Sequence, residues 1–312
     1  MLPAVSIAIT SFNQADSVFR AVQHALAQDY ANLEVVVSDD HSNDNTETLL
    51  TKFLPNPRFR YSQNERNIGR VRNYQRLLRD LVRGDWVLMN DGDDYLTNAK
   101  YISQAVALIK NDPEIVLVIS KVFKSGRADQ VMNAGWPYGN VVDGTSFFLK
   151  HPPFSSSLSP CHLSALYERK AALKLDFYRH DIISTDFESL YRLMTDRRIG
   201  FINEVAGVWS QHLENITRNP SREHLAENLR LFASLYQHAE ANGIAESGVL
   251  KRWYRTLLAR GWLSGAKSLA VGNRKPRDAM ALTYDVFKRE PLFWLGLPNA
   301  ILAIIAGLTR SY

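Results

Sequence analysis

Cysteine is almost absent from the sequence, because Cys161 is the only one among 312 residues. One cysteine cannot build an internal disulfide framework, and its scarcity fits a reducing compartment. The chain also lacks a basic start followed by a long apolar stretch, so no secretory signal peptide is expected. It contains no His-x-x-x-His helix, Cys-x-x-Cys pair or Gly-Lys-Ser phosphate loop, which disfavours zinc enzymes and P-loop proteins. These absences predict a protein of the cytosolic side.

The composition is that of a globular protein. With 46% hydrophobic and 11% aromatic residues, the chain can bury one substantial core and a smaller appended subdomain. The net charge of +5 suits nucleic acid, anionic lipid or phosphorylated small molecules and selects none of them. Arginines recur between residues 66 and 79 without the interleaved aromatic residues of a single-strand binding platform. Nucleic acid is therefore not an expected partner.

Apolar segments alternate with amphipathic segments over the first 95 residues. The strand-like runs cover residues 5–9, 33–37, 59–61 and 86–89. Helical patterns cover residues 15–28, 46–53 and 69–82, and Asp44 and Asn45 are suited to cap the second of them. Strands that are joined through helices pair in parallel, so the sequence predicts an α/β fold.

Three of the predicted strands end in polar residues. These ends are Thr10 to Asn13, Asp39 to Ser42 and Asn90 to Asp94, and in an α/β sheet such ends meet at the ligand-binding edge. The three carboxylates between Asp91 and Asp94 would repel one another and resist desolvation, so a hard divalent cation with oxygen ligands fits them. The alternative is a polar turn between a strand and a helix.

These polar segments resemble the motifs of the family 2 glycosyltransferases, which have the GT-A fold. The stretch VSIAITSFN (5–13) is similar to the family's opening strand and turn, and VVVSDDHSND (35–44) to its Asp-Asp-x-Ser-x-Asp segment. Asn64 to Gly69 followed by Arg72 and Asn73 resembles the Asn-x-Gly and Arg-Asn element, and Asp91 to Asp93 the metal-binding Asp-x-Asp. The resemblance implies a Rossmann-like, mostly parallel sheet flanked by helices.

The resemblance also implies a nucleotide-sugar donor, expected to be UDP-linked. Phe12 would flank the base, with a buried core position as the alternative. Asp40 would accept a hydrogen bond from a uracil imide and Asp39 would support that turn, with helix capping as the alternative for both. Arg72 would lie along the nucleotide or diphosphate, although such an arginine is commonly just exposed. The implied donor site consists of Thr10, Ser11, Phe12, Asn13, Asp39, Asp40, Asn67, Gly69, Arg72, Asp91 and Gly92.

A divalent cation, Mn²⁺ or Mg²⁺, belongs to the same resemblance. Asp93 is the leading metal ligand, and Asp91 is expected near the ribose or the ion. His212 is assigned to the metal or the diphosphate, with a hydrogen-bonded structural histidine as the alternative. The cation would offset the negative charge that grows on the leaving diphosphate.

An inverting transfer needs a base that takes the proton from the acceptor hydroxyl. The stretch TDFESLYRL (185–193) resembles the family's Glu-Asp helix start, which makes Asp186 the candidate catalytic base. The chain departs from the family pattern at Thr185, where Glu is usual. Helix capping is the alternative role of Asp186, and Glu188 is the substitute base.

Residues 121–162 show little pattern. Their glycines and the pair Pro152-Pro153 predict loops over the acceptor side. Trp136 and Tyr138 in this region either stack on a sugar ring or pack locally.

A helical C-terminal subdomain is predicted because apolar residues recur at helical spacing beyond Pro220. We therefore divide the chain into a catalytic domain of residues 1–218 and a helical subdomain of residues 219–312. Leu292 to Leu308 carries no charge but is short for a bilayer span and is interrupted by Pro298-Asn299. Docking at a membrane surface is expected there rather than crossing, and a buried helix or a homo-oligomer contact is the alternative.

Together these features predict a glycosyltransferase of the hexosyltransferase type. It would move a single sugar to a hydroxyl of a glycan or of a lipid-linked saccharide in surface-polysaccharide biosynthesis. Its expected location is cytoplasmic and peripheral on the inner face of the cell membrane. One alternative is a sugar-nucleotide nucleotidyltransferase, which the lack of Gly and Lys in Thr10 to Asn13 disfavours. The other is a non-catalytic nucleotide- or glycan-binding protein of the same fold, against which Asp91, Asp93 and Asp186 count.

Overall fold

The computed structural model describes residues 2–125, 130–154, 158–211, 220–272 and 275–302. The strands are β1 (Val5–Ser11), β2 (Leu33–Asp39), β3 (Phe59–Gln63), β4 (Trp86–Asp91), β5 (Tyr95–Leu96), β6 (Ile115–Lys124), β7 (Val131–Met132), β8 (Val141–Asp143), β9 (Leu166–Glu168) and β10 (Arg198–Trp209). The α-helices are α1 (Ala15–Leu26), α2 (Thr46–Leu50), α3 (Arg70–Arg76), α4 (Tyr101–Asn111), α5 (Gly144–Lys150), α6 (Arg169–Lys174), α7 (Thr185–Met194), α8 (Arg222–Asn228), α9 (Arg230–Ala241), α10 (Ser247–Lys267) and α11 (Pro276–Arg289).

The strands form one mixed sheet in the order β3-β2-β1-β4-β9-β6-β10-β5, with β7 paired to β6 and β8 paired to β10. Strand β1 runs parallel to both β2 and β4, and β2 runs parallel to β3. Strand β9 runs antiparallel between β4 and β6. The prediction of an α/β fold with a mostly parallel sheet and flanking helices is confirmed.

The first half of the sheet forms as its sequence predicts. Strands β1, β2 and β4 are almost entirely buried, as expected for parallel strands with both faces covered. Helix α1 buries one apolar stripe, and it ends at Leu26, slightly before the predicted end. Asp44 caps as predicted, because its carboxylate accepts hydrogen bonds from the backbone N–H of Thr46 (3.1 Å) and of Ala15 (3.0 Å). One side chain thereby supports the starts of both α2 and α1.

The prediction of loops throughout residues 121–162 is wrong. Residues 121–124 continue β6, and β7, β8 and α5 lie between residues 131 and 150. The apolar run at the start of β6 is buried and pairs with both β9 and β10, and its parallel pairing with β10 continues to Lys124. Trp136 lies flat on Phe201 with ring centroids 4.0 Å apart, and Tyr138 packs edge-on against Trp136. Of the two roles considered for these aromatics, the structure shows local packing.

The chain divides into two compact units. The first unit comprises Met1–Lys150, Ser157–His180 and Leu193–His212 and holds the sheet. The second comprises Leu213–Tyr312, together with His151–Ser156 and Asp181–Arg192. The predicted C-terminal helices are present, and their unit also takes in two segments that precede residue 218.

Helix α10 forms the middle of the second unit, where it buries Leu250, Leu257 and Leu258. Its Trp262 indole N–H donates to the hydroxyl of Thr283 in α11 (2.9 Å). At the end of α11 the Arg289 guanidinium donates to a carbonyl oxygen of α8 (2.6 Å). Among the described residues, no helix has both the length and the apolar character needed to cross a bilayer.

Gly207 should be essential for the antiparallel pairing of β10 with β5. A Cβ atom on Gly207 would lie 2.4 Å from the carbonyl oxygen of Tyr95 and 2.9 Å from the Cα of Leu96. We expect Gly207→Ala to lower the free energy of unfolding by about 2 to 3 kcal/mol, measured by chemical denaturation, because the neighbouring backbone must move. Gly139→Ala is the matched control, since no atom lies within 4 Å of its added Cβ. Equal effects of the two substitutions would contradict this packing.

Candidate donor-sugar site

The polar ends of three parallel strands lie side by side. Thr10 at the end of β1 is opposite Ser38 of β2 on one side and Asp91 of β4 on the other. Ser11 is opposite Asp39. The structure therefore brings together the three strand ends that the sequence singles out.

The tip of β1 is fixed to the turn that follows β2. Asn13 has a left-handed backbone conformation (φ 53°), and its N–H donates to the hydroxyl of Ser42 (2.8 Å). The N–H of Asn43 donates back to the side-chain oxygen of Asn13 (2.8 Å). Thr10 and Ser11 are buried, whereas Phe12 is 44% exposed. Exposure of Phe12 excludes the alternative in which it is a core residue.

Asp39 is buried and holds the turn after β2. One of its oxygens accepts hydrogen bonds from the backbone N–H (3.0 Å) and the hydroxyl (2.5 Å) of Ser42. The other accepts from the hydroxyl of Tyr61 (2.6 Å) and the amide of Gln63 (3.2 Å). Asp39 supports the turn, as the resemblance implies. Helix capping, the alternative role of Asp39 and Asp40, falls to Asp44, which accepts the hydrogen bond from the first residue of α2.

Asp40 is also buried, and it anchors the loop that leads into α3. Its carboxylate accepts from the Asn64 amide (2.7 Å) and from the backbone N–H groups of Ile68 (2.8 Å) and Gly69 (2.9 Å). The side-chain oxygen of Asn67 accepts from the same Gly69 N–H (3.1 Å). Gly69 has φ +87°, a conformation that favours glycine. A carboxylate has about four lone-pair positions, so these three donors leave one acceptor position on Asp40.

Three buried side-chain atoms at these strand ends have no hydrogen-bond partner in the described part of the chain. They are the side-chain oxygen of Asn90 in β4 and, near Asp40, the hydroxyl oxygen of Ser11 and the side-chain oxygen of Asn64. Buried polar atoms are rarely left in this state, because losing water without a replacement partner costs free energy. Their presence fits a polar ligand at the strand ends.

The turn at the end of β4, residues 91–94, contains three aspartates and packs against the end of β1. We call it the acidic turn. A Cβ atom on Gly92 would lie 2.4 Å from the carbonyl oxygen of Thr10 and 2.8 Å from the side-chain oxygen of Gln14, so only glycine fits. Asp94 is buried and accepts from the backbone N–H of Ser210 (2.8 Å). Burial, followed by the nearby charges of Asp93 and Asp91, raises the pKa of Asp94 well above its usual value.

Asp91 is held by residues that the sequence analysis did not identify. The hydroxyl of Tyr74 donates to one oxygen of Asp91, and Nδ1 of His162 lies 3.9 Å from the other. Burial raises the pKa of Asp91, but His162, the charge of Arg70 and the Tyr74 hydrogen bond outweigh it and hold this pKa at about 2. The Arg70 guanidinium lies 5.6 Å from the centroid of the Tyr74 ring. Asp91 is therefore a firmly ionised carboxylate.

The sequence allows two of the three residues around Asp91 to be predicted, but not the third. Arg70 lies beside the Arg-Asn element, and Tyr74 is four residues further along the same helix, so both could be found by projecting α3 as a helix. His162 lies in the stretch without pattern, and no signal pointed to it. Its Nε2 lies 3.2 Å from the hydroxyl of Tyr178, which keeps the buried ring in place. Arg72, the predicted donor-site arginine, is exposed on α3.

The candidate metal ligands of the acidic turn are carboxylate oxygen atoms, which Mn²⁺ and Mg²⁺ prefer. Asp93 is half-buried, and its backbone carbonyl accepts from the Ser210 hydroxyl (2.6 Å). Within the described ranges no group of three or more His, Cys, Asp or Glu residues forms a complete metal centre. Mg²⁺ characteristically uses only one or two carboxylates together with phosphate oxygens of a substrate. The predicted ligand His212 lies outside the described residues.

Asp186, the candidate base, is half-buried in the first turn of α7, in a segment that belongs to the second unit. Glu188 is buried and forms an ion pair with Arg192, whose Nε lies 2.7 Å from one carboxylate oxygen. Its oxygens accept hydrogen bonds from Nη2 of Arg192 (2.9 Å) and from the Ser234 hydroxyl (2.5 Å). A carboxylate enclosed in an ion pair cannot meet an acceptor hydroxyl. The prediction of Glu188 as a substitute base is therefore wrong.

A Rossmann-like sheet with carboxylates at its strand ends is the architecture of GT-A glycosyltransferases, and comparisons with known proteins agree. The model of glycosyl transferase family 2 matches residues 6–174, more than half of the chain. The chain belongs to glycosyl transferase family 2 and is a glycosyltransferase.

Two relatives differ in how much of their length is matched. The succinoglycan biosynthesis protein ExoO of Rhizobium meliloti (strain 1021) is 38% identical over 95 residues, which are 30% of this chain and only 26% of ExoO. The poly(ribitol-phosphate) beta-N-acetylglucosaminyltransferase TarP of Staphylococcus aureus (strain N315) is 22% identical over 314 residues, covering 91% of this chain and 92% of TarP.

Two solved structures share the fold over nearly the whole chain. S. aureus TarS 1–349 in complex with UDP-GlcNAc has a TM-score of 0.72 at 19% identity, covering 97% of this chain and 89% of that one. The mannosyltransferase PcManGT of Pyrobaculum calidifontis, in complex with GDP-Man and Mn²⁺, has a TM-score of 0.54 at 18% identity and covers 100% and 89%. At these identities the likeness establishes the fold.

The hydrogen bond from Tyr74 should stabilise the protein only while Asp91 is ionised. Because the pKa of Asp91 is lowered from 3.8 to about 2, its contribution to stability is present above about pH 4 and is lost as the pH falls towards 2. We expect Tyr74→Phe to lower the free energy of unfolding by about 1 kcal/mol at neutral pH, a value that allows for the partial exposure of Asp91. The difference from the wild type should vanish near pH 2.

Urea unfolding across this pH range measures the effect. Tyr284→Phe, which removes a hydroxyl from a side chain that is 65% exposed, is the control. A loss from Tyr74→Phe that is the same at every pH would show that the hydroxyl does not act through Asp91.

Proposed function

We propose that this glycosyltransferase moves one sugar from a UDP-linked donor to a hydroxyl of a glycan or of a lipid-linked saccharide. The transfer inverts the configuration at the anomeric carbon and uses a divalent cation at the acidic turn. The observation that carries the proposal is the alignment of the ends of β1, β2 and β4, which sets Thr10 between Ser38 and Asp91. The names of ExoO and TarP support surface-polysaccharide biosynthesis as the process.

The uracil base would lie against Phe12, the exposed aromatic at the tip of β1. The acceptor position that remains on Asp40 would take the imide N–H, as the family resemblance implies. The unpartnered oxygens of Ser11 and Asn64 would gain hydrogen-bond partners from the nucleotide. The UDP-GlcNAc complex of TarS makes UDP-GlcNAc the first donor to test.

The acidic turn would hold the diphosphate end of the donor. Asp93 is proposed as the metal ligand, with Asp91 at the ribose or the ion, while Arg70 and Arg72 supply positive charge along the diphosphate. A bound Mn²⁺ or Mg²⁺ would neutralise charge on the leaving diphosphate. It would also relieve the repulsion among the three carboxylates, which adds to burial in raising the pKa of Asp94. The Mn²⁺ in the mannosyltransferase complex supports this choice of ion.

Asp186 would act as the base. It would take the proton from the acceptor hydroxyl as that oxygen bonds to the anomeric carbon, and the bond from this carbon to UDP would break. The enclosure of Glu188 in its ion pair supports Asp186 as the carboxylate of α7 that performs this step. We further propose that the reaction takes place on the cytoplasmic side, which the presence of only one cysteine in the sequence fits.

Substitution of Asp93 should abolish metal-dependent donor binding. In a thermal-shift screen we expect UDP and UDP-GlcNAc to raise the Tm of the wild type in the presence of Mn²⁺ and not with EDTA. Asp93→Ala should lose this shift, whereas Asp80→Ala, which removes an exposed carboxylate, should retain it. Mn²⁺-dependent binding that survives in Asp93→Ala would contradict the assignment.

Substitution of Asp186 should separate binding from chemistry. We expect Asp186→Asn to retain UDP-GlcNAc binding and to release UDP about 10² to 10⁴ times more slowly, with water or a saccharide as acceptor, because proton transfer is lost. Asp181→Asn, an exposed neighbour just before α7, is the control. An unchanged rate in Asp186→Asn would rule out this base. Pyrophosphate release from a nucleoside triphosphate, or no turnover of any donor by the wild type, would favour the two alternative functions.

A further inference from the structure

Helix α11 exposes an apolar strip bordered by cations. Met280, Tyr284 and Phe287 are 73%, 65% and 52% exposed, and Arg277 and Lys288 are exposed as well. At 3.6 residues per turn these five positions fall within an arc of about 100° on the helix. No carboxylate falls within this arc. A core-facing stripe would be buried, so this strip is a second, solvent-facing apolar surface on an already packed helix.

The opposite side of α11 shows that the helix is properly docked. Ala279, Leu282 and Val286 are buried there. Asp285 lies off the strip and forms an ion pair with Arg222 (3.1 Å). The exposed strip is therefore a feature of a folded helix and does not result from poor packing.

The segment after α11 also exposes large apolar side chains. Leu292, Trp294 and Leu295 are 45%, 51% and 46% exposed. Between them Phe293 is buried and packs edge-on against Trp262, with ring centroids 5.4 Å apart. Gly296 is pressed so closely onto α10 that a Cβ there would lie 2.2 Å from the carbonyl oxygen of Arg255. Phe293 and Gly296 thus fix the backbone, while the side chains of Leu292, Trp294 and Leu295 remain about half exposed.

Ile301 and Leu302, which are 48% and 64% exposed, add two more apolar side chains at the end of the described chain. We call the exposed apolar side chains of residues 277–302, together with Arg277 and Lys288, the apolar face. So many large apolar side chains exposed in one short segment exceed the scattered single ones of an ordinary surface and indicate a binding partner.

The charge of the chain indicates which partner. Residues 213–312 contain 14 Lys and Arg against 8 Asp and Glu, while residues 1–212 contain 23 against 24. The whole positive excess therefore lies in the part of the chain that carries the apolar face. An anionic partner is favoured by this charge, and a second copy of the same face is disfavoured, because Arg277 and Lys288 would meet their own counterparts.

We propose that the apolar face docks on the surface of an anionic lipid bilayer. Tyr284 and Trp294 have the amphipathic rings that favour the membrane interface, with Arg277 and Lys288 placed to meet lipid head groups. Phe287, Leu295 and their neighbours would enter the boundary between head groups and acyl chains. Such docking would bring the enzyme to acceptors at the membrane surface, but it does not depend on which sugar is transferred.

Vesicle co-sedimentation of the full chain tests the proposal. Vesicles of phosphatidylcholine with about 30% phosphatidylglycerol should retain the protein, and vesicles of phosphatidylcholine alone should retain much less. We expect Tyr284→Ser/Phe287→Ser to weaken binding to the anionic vesicles by roughly tenfold or more through lost apolar contact. Arg277→Gln/Lys288→Gln should weaken it by roughly 30-fold at low salt.

Leu54→Ser, at a 53% exposed leucine of the first unit, is the matched control and should bind as the wild type does. All the substituted side chains are exposed, so an unchanged Tm and unchanged UDP binding would show that the variants remain folded. Failure of the wild type to bind anionic vesicles, or equal binding by every variant, would overturn the proposal. An oligomer in sedimentation velocity that Tyr284→Ser/Phe287→Ser dissociates would also overturn it, because the face would then join two copies.

Discussion

The proposed donor site depends on three parallel strands that end side by side. Strand β1 lies between β2 and β4, and its register sets Thr10 beside both Ser38 and Asp91. A slip of one residue would turn the side chains of a strand to the opposite face of the sheet. The close contact of Gly92 with the carbonyl oxygen of Thr10 further fixes the acidic turn. The position of the carboxylates thus follows from the packing of the apolar strands behind them.

The carboxylates of the acidic turn lie in different environments. Asp91 is ionised because His162, Arg70 and Tyr74 outweigh the cost of its burial. Asp94 is buried near two other acids, and the N–H of Ser210 does not offset this, so its charged form is disfavoured. A protein that keeps these groups adjacent retains electrostatic repulsion, which a cation would remove. The raised pKa of Asp94 is thereby linked to the metal that this turn is proposed to bind.

Much of the first half of the sheet could be predicted from the sequence, because its strands are continuous apolar runs and its motifs stand directly at their ends. The capping role of Asp44 also follows from local spacing, whereas the support of the turn by Asp39 is what the family resemblance implies. Strands β7 and β8 could not be predicted, since two or three residues carry no periodicity and pairing with β6 and β10 defines them. His162 lies near Asp91 although the two residues are 71 positions apart in the sequence. Local sequence patterns cannot predict such a long-range contact. The sequence indicated the apolar run from Leu292 onward, but it did not identify the exposed strip of α11, because helical spacing identifies apolar positions and not whether a partner covers them.

The central claim is that the ends of β1, β2 and β4 hold a UDP-sugar with a divalent cation at Asp93. Anomalous scattering from crystals of the full chain grown with UDP and Mn²⁺ tests this most directly. We expect one manganese peak within coordination distance of the Asp93 carboxylate and of the diphosphate, with the uracil ring against Phe12 and its imide at Asp40. A manganese peak remote from Asp93, or a uracil ring bound away from the end of β1, would contradict the claim.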